Sequence, residues 1–215
     1  MKANITTSNG IYTYEVKTFT LGSKRINRKI AKENLLEFSA CLNDANITFG
    51  LIYGTLLGAI RENNFIAHDE DIDVFVLDED RGKVLDSLFK LKKRGLVVGR
   101  YEEDHDLISF VKDDEYIDIY FFKKNIFGNR AANGSFIGAK YLENLKKIEF
   151  LGEPFSVPER SEELLEKLYG KDWRVPRVDV KGSNFGFYLT IKNFIQKNFN
   201  TLFKVISWAK KKMRI

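Results

Sequence analysis

Apolar and polar positions along this chain alternate between two periods, and the switches mark out the elements. Residues 11–18 alternate with period two and predict a strand. From Ile26 to about Ala45 the apolar positions Ile26, Ile30, Leu35, Phe38 and Leu42 fall near helical spacing, which predicts an amphipathic helix. A short apolar strand follows over Ile47–Tyr53, broken at Gly54, and Thr55–Arg61 reads as a short helix. Asp71–Leu77 (DIDVFVL) alternates again as a strand. Glu79–Arg94 predicts a helix with Val84, Leu85, Leu88 and Leu91 on its apolar face, closed by Gly95. Leu107–Val111 and Tyr116–Phe122 predict neighbouring strands joined by the acidic turn Lys112–Glu115. The Gly/Asn-rich stretch Phe127–Lys140 reads as a loop, and Phe155–Val157 as a strand. Ser161 is placed to cap a helix through Leu168, with Glu162 and Glu163 in its first turn and Gly170 ending it. The order predicts an α/β (α+β) fold, a mixed sheet flanked by helices.

Composition narrows the class. A chain of 215 residues with 44% hydrophobic and 30% charged residues can bury one ordinary core. The lone Cys41 excludes an internal disulfide, and its place in a helical apolar pattern predicts burial. The first residues lack the apolar core of a secretory signal, and no run reaches the roughly 18 apolar residues of a membrane span. A cytoplasmic location is the expectation. The formal net charge is +5, yet the segment 189–215 holds seven basic residues and no acidic one, so the rest of the chain is slightly acidic. That distribution argues against a nucleic-acid binder, which needs Lys and Arg spread over the surface that tracks phosphates.

The chemistry concentrates in three places. Side chains two apart in a strand share a face, so Asp71 and Asp73 point together while Ile72 and Val74 point into the core. Two adjacent carboxylates repel unless a cation sits between them, and a hard divalent ion, Mg2+ or Mn2+, suits oxygen donors. Asp118 stands alone in the apolar run Tyr116-Ile-Asp-Ile-Tyr120 and is costly there unless paired or liganded. On an adjacent strand it adds a third carboxylate. Gly54-Thr55 is a strand-to-helix turn whose free N–H groups can hold a phosphate. A phosphate held beside a carboxylate-bound metal makes a phosphoryl-transfer site. Taken singly, an Asp-x-Asp pair is more often a solvated strand edge; the fixed order of these features is what makes the set specific.

Tyr53-Gly-Thr-Leu-Leu-Gly-Ala-Ile-Arg61, Phe65-Ile66 and Asp69-Glu-Asp-Ile-Asp73 together resemble the signature of the LicD family, the bacterial choline-phosphate transferases and fukutin-related ribitol-phosphate transferases. The likeness continues at Ile117-Asp118-Ile119, at Pro158, and at Leu168-Tyr-Gly-Lys-Asp-Trp173 with Pro176, so it spans roughly residues 25–177. His68 stands where the family often has Trp, and Glu70 where it often has Asp. The resemblance implies a nucleotidyltransferase-like fold and a CDP-linked donor, CDP-choline or a CDP-alditol. It implies that Asp71, Asp73 and Asp118 bind one or two Mg2+ (or Mn2+), and that the phospho-group passes to a sugar hydroxyl of a cell-surface glycan. Asp118 is the choice for the group that takes the hydroxyl's proton. Gly54 and Thr55 would cradle a phosphate. Arg61 would either neutralise pyrophosphate or pair with Glu62 or Asp69. His68 would be a general base or, more in keeping with its acidic neighbours, an ion-pair partner; Asp69 completes the donor-binding set. The rival activity, a nucleotidyltransferase adding a nucleoside monophosphate, would use the same carboxylates.

Residues 1–188 form the expected catalytic domain and 189–215 a basic amphipathic helix. Ile195, Phe199, Leu202, Ile206, Ala209 and Met213 share one helical face, widened by Phe194, Phe203 and Trp208. Such a helix reads either as an element lying on the inner face of an anionic membrane or as one packed on this domain or a second subunit. A lipid-linked glycan acceptor would suit the first.

Overall fold

The central strand is the one the DIDVFVL pattern marks. In the computed structural model, which describes residues 1–18 and 24–176, β4 (Ile72–Leu77) is buried along both faces. It therefore sits inside a covered sheet, between β3 (Phe49–Leu51) and β7 (Glu115–Lys124). The sheet runs β3-β4-β7-β6-β5, with β5 (Val97–Glu102) and β6 (Leu107–Lys112) completing the path. β4 and β7 are parallel; β3·β4, β6·β7 and β5·β6 are antiparallel. A short extension, β8 (Asn129–Ala132) and β9 (Ser135–Gly138), pairs onto the end of β7. This is the mixed sheet the element order predicts.

Two hairpins flank it. β1 (Lys2–Thr7) and β2 (Gly10–Glu15) form one, tied to β5 by the Lys17 N–H donating to the Gly99 carbonyl at 2.8 Å. β10 (Leu145–Phe150) and β11 (Glu153–Pro158) form the other, whose Phe155 packs edge-on to Phe49 of β3.

Helix α1 (Arg28–Asp44) starts where Asn27 accepts the N–H groups of Lys29 and Ile30, at 3.2 and 3.3 Å. It buries Ala31, Leu35, Phe38, Cys41 and Leu42 on one face, and its buried Asn34 is satisfied by the Lys112 carbonyl at 2.8 Å. Cys41 is buried, as its spacing predicts. α2 (Tyr53–Glu62) follows β3 directly and ends at Asn63 in the left-handed conformation.

Three expectations need correction. The predicted helix 79–94 is broken into a 3-10 turn (Asp78–Asp80), α3 (Arg81–Asp86) and α4 (Leu88–Lys93). Ser87 separates the two helices, its hydroxyl donating back to the Lys83 carbonyl at 2.8 Å, the local competition with the helix that serine offers. The predicted loop 127–140 contains β8, β9 and the start of α5 (Ala139–Leu142). Asn133 and Gly134 turn that hairpin with both φ angles positive, 46° and 74°. α6 (Ser161–Tyr169) ends at Gly170 as expected, but Ser161 is its first helical residue, and its hydroxyl donates to the Pro158 carbonyl instead of capping. Glu162 and Glu163 do lie in the first turn.

Residues Met1–Arg174 form one compact unit. The boundary expected at 188/189 and the amphipathic helix of 189–215 lie outside the described residues. Among the described residues no helix is long and apolar enough to cross a membrane.

Candidate active site

Parallel pairing of β4 with β7 does the first assembly step. The register sets Asp73 beside Asp118, and partners in a parallel pair present their side chains to the same face. Both are buried, at 7% and 4% exposure. Asp71 lies one step before β4, half-buried, on the face of Asp73. Acids from two separate stretches of the chain thus become electrostatic neighbours. Burial pushes the Asp71 and Asp73 carboxyls well above the usual carboxylate range. Asp118, Asp69 and Glu70 add to the rise at Asp71, and Asp71, Asp69 and Asp118 add to it at Asp73. Asp118 is also raised by burial, against the pull of Arg100 and Ser109.

Helix α2 does the second step by clamping Asp73. The Gly54 N–H donates to Asp73 Oδ2 at 3.2 Å, the Asp73 N–H donates to Thr55 Oγ at 2.8 Å, and the Ile52 N–H donates to the Asp73 carbonyl at 3.2 Å. Thr55 is fully buried. Gly54 and Thr55 therefore meet the site through Asp73. Glycine at 54 lets Asp69 come close: a Cβ there would lie 2.4 Å from Asp69 Oδ2. Tyr53 opens α2 with φ of 47°, a left-handed residue that turns the chain from β3 into the helix.

Asp69 is the fourth acid. Its Oδ2 is buried without a hydrogen-bond partner, and burial, with Glu70 and Glu62 nearby, pushes its carboxyl up to about 7. Asp118 is asymmetric: Oδ2 accepts from the Arg100 guanidinium at 2.9 Å, and Oδ1 is buried without a partner. The residues that could hold a cation are thus Asp71, Asp73 and Asp118. They offer hard oxygen donors, mutual repulsion that a cation would relieve, and one orphaned oxygen. They stand as neighbours and not as a closed cage: among the described residues no group of three His, Cys, Asp or Glu side chains is already gathered at metal-binding distance.

The other predicted residues fall around this core. Arg61 pairs with Glu62, its Nε donating at 3.1 Å, and reaches the Trp173 carbonyl at 3.3 Å. It ties α2 to the buried Trp173 of the late Leu168–Trp173 motif. His68 is exposed, and among the described residues no ion pair joins it to a carboxylate. Two residues of the site escaped the sequence reading. Tyr120 donates its hydroxyl to Asp73 Oδ1 at 3.2 Å; it lies two positions beyond Asp118, a same-face spacing that could have found it. Arg100 sits on β5, a strand the pattern did not mark, and only the β5·β6·β7 register brings it to Asp118.

Residues 46–160 match the family model described as LicD/FKTN/FKRP, nucleotidyltransferase domain, and so cover the clamp, both paired strands and every carboxylate named above. The domain is of the nucleotidyltransferase type. The chain belongs to the LicD family. Among curated relatives it is 32% identical over 161 residues to the ribitol-5-phosphate transferase FKTN of Macaca fascicularis and 31% identical to that of Homo sapiens, in each case over 69% of this chain and 34% of the relative. It therefore spans about a third of the length of those proteins. Among solved structures, the antibiotic-resistance factor ANT(2'')-Ia superposes with a TM-score of 0.47 at 14% identity, over 86% of this chain and 99% of that one. So slight a likeness adds nothing to the fold read from the strands themselves.

Proposed function

We propose that this chain is a metal-dependent phosphotransferase that moves a phospho-group, phosphocholine or an alditol phosphate, from a CDP-linked donor to a hydroxyl of a glycan. The observation that carries the reading is the Asp73–Asp118 pair on adjacent parallel strands, clamped by the Gly54-Thr55 helix start. The similarity to proteins named ribitol-5-phosphate transferase supports the choice of transferred group. Asp71, Asp73 and Asp118 would hold Mg2+ or Mn2+, whose charge would stabilise the donor's pyrophosphate and the leaving CMP. Gly54 and Thr55 keep Asp73 fixed, which holds its oxygens toward one face. Asp118, whose Oδ1 is buried and unpartnered, would accept the acceptor hydroxyl's proton as the new P–O bond forms and the bond to CMP breaks.

The rival is nucleotidyl transfer, favoured by the domain description that the matched family model carries. The two differ in which phosphorus is attacked. One experiment separates them: incubation with a panel of CDP-linked donors, Mg2+ and a glycan acceptor, with mass analysis of the product. Gain of phosphocholine or an alditol phosphate with release of CMP is expected. Gain of CMP by the acceptor would establish the rival. The basic 189–215 segment would hold the enzyme at the cytoplasmic face of an anionic membrane, beside a lipid-linked acceptor.

A further inference from the structure

The site face of β7 reads Asp118, Tyr120, Phe122, because alternate residues of a strand share a face. Phe122 is fully buried and packs edge-on to Phe75. Asp118 belongs to the carboxylate pair. Tyr120 lies between them, where the apolar core gives way to the acids. Its ring stands edge-on to Tyr53, with centroids 5.0 Å apart and planes at 84°. A phenylalanine would meet Tyr53 equally well through that ring. What a phenylalanine lacks is the hydroxyl, and the hydroxyl donates to Asp73 Oδ1 at 3.2 Å.

That bond completes a set. Asp73 Oδ2 accepts from the Gly54 N–H and Oδ1 from Tyr120, so each oxygen has one donor from a different element, one on α2 and one on β7. A carboxylate oxygen has two lone-pair directions. One donor on each fixes the plane of the group and leaves the other direction free. A carboxylate that had both oxygens doubly bonded would be saturated, and one with no donors would rotate. The ring packing against Tyr53 keeps the phenol from following the carboxylate if it turns.

We infer that Tyr120 is a positioning residue, whose hydroxyl orients the Asp73 carboxylate for a divalent cation shared with Asp71 and Asp118. The inference rests on the carboxylate reading proposed above. Outer partners that orient a metal-binding carboxylate typically change metal affinity by about 10–100-fold when removed. Tyr120 touches neither donor nor acceptor in this scheme, so its loss acts through Asp73.

The test compares wild type, Tyr120→Phe and Asp73→Asn by calorimetric titration with Mn2+ alone. A parallel measurement follows the Asp73 carboxyl 13C resonance in metal-free protein. Tyr120→Phe should keep its thermal midpoint, shift the Asp73 resonance, and bind Mn2+ about 10–100-fold more weakly. Asp73→Asn should lose most of the binding. Equal Mn2+ affinity in wild type and Tyr120→Phe overturns the inference. Absence of Mn2+ binding by wild type, with the Asp73 resonance still shifted by Tyr120→Phe, sinks the cation reading and leaves the orienting bond standing. Should Tyr120→Phe fail to fold, the wild-type protein decides: a slowly exchanging Tyr120 hydroxyl proton coupled to the Asp73 carboxyl supports the bond, and a freely exchanging one overturns it.

Discussion

Two glycines of α2 lie one turn apart and should respond to alanine in opposite ways. At Gly58 a Cβ would sit 2.4 Å from the Asn64 carbonyl oxygen and 3.2 Å from the Ile66 N–H nitrogen. Both are backbone atoms of the chain as it doubles back after the left-handed Asn63. The overlap is roughly 1 Å inside ordinary contact, and only a backbone shift relieves it. Such shifts cost about 1–3 kcal/mol, against which the better helix propensity of alanine returns up to about 1 kcal/mol. Gly58→Ala should therefore lose about 1–2 kcal/mol net. For a urea slope of about 2 kcal/mol per molar, the unfolding midpoint falls by roughly 0.5–1 M. At Gly54 the equally close atom is Asp69 Oδ2, the end of a side chain, also at 2.4 Å. That carboxylate can rotate away, so stability should change by less than about 1 kcal/mol. Function should not be spared, because Asp69 neighbours Asp73 electrostatically and its displacement alters the field at that carboxyl. Urea unfolding and Mn2+ titration of both variants make the assay. Gly54→Ala with a larger stability loss than Gly58→Ala, or with unchanged Mn2+ binding and activity, would refute the reasoning.

The remaining expectations concern charge. With chelator present, stability should rise as pH falls from 8 to 5. Asp69 is raised to about 7, and Asp71, Asp73 and Asp118 are raised too. The native state thus holds more protons than the unfolded chain, whose aspartates titrate near 3.9. That extra stability is complete below the unfolded value and is lost as pH climbs through the folded ones; a urea midpoint that rises with pH in chelator would contradict it. Asp71→Asn in chelator at pH 8 should stabilise the fold by about 1–2 kcal/mol by removing one of the repelling charges, and a measured destabilisation would count against the cluster. Arg130, 4% exposed, joins Glu79 and Glu143 through Nη1 and Nε at 2.7 and 2.9 Å. Arg130→Met should loosen the β8–β9 hairpin and raise its amide exchange, at about 1–3 kcal/mol because both acids can rehydrate, and unchanged exchange would show the pairs to be ornamental. Truncation before Phe194 should abolish co-sedimentation with anionic vesicles while leaving activity on a soluble acceptor; full-length protein that ignores such vesicles removes the membrane role.

What could be read from the sequence followed the strength of each local signal. α1 announces itself through one apolar face, and β4 and β7 through runs that stay buried on both sides. β5 reads Val-Val-Gly-Arg-Tyr-Glu with only two buried positions, no clean alternation, and so passed unmarked. The hairpins are a different case, because their signals were present. Asp113-Asp114, Asn133-Gly134 and Leu151-Gly152 all turn with two successive positive φ angles, the geometry of two-residue hairpin turns. Asn-Gly is the dipeptide that favours it most, and the Gly/Asn content around it made the segment look like loop. Leu151 gives no such warning, since a leucine rarely takes a left-handed conformation.

The site divides along the same line. Asp71 and Asp73 share a face by spacing alone, and Asp118 joins them if two buried strands are neighbours, an inference that needs adjacency but no exact register. Arg100 needs more. Its contact with Asp118 depends on β5 pairing with β6 past an irregularity between Val98 and Arg100, and on β6 pairing with β7 so that Ser109 sits between them. A slip of one residue at either step would turn Arg100 to the opposite face. Carboxylates bound for a site betray themselves because a buried acid is costly wherever it falls. The groups that orient them, an arginine that keeps some contact with solvent and a tyrosine that could pass for core, stand out less. They become visible only when the strands are laid side by side.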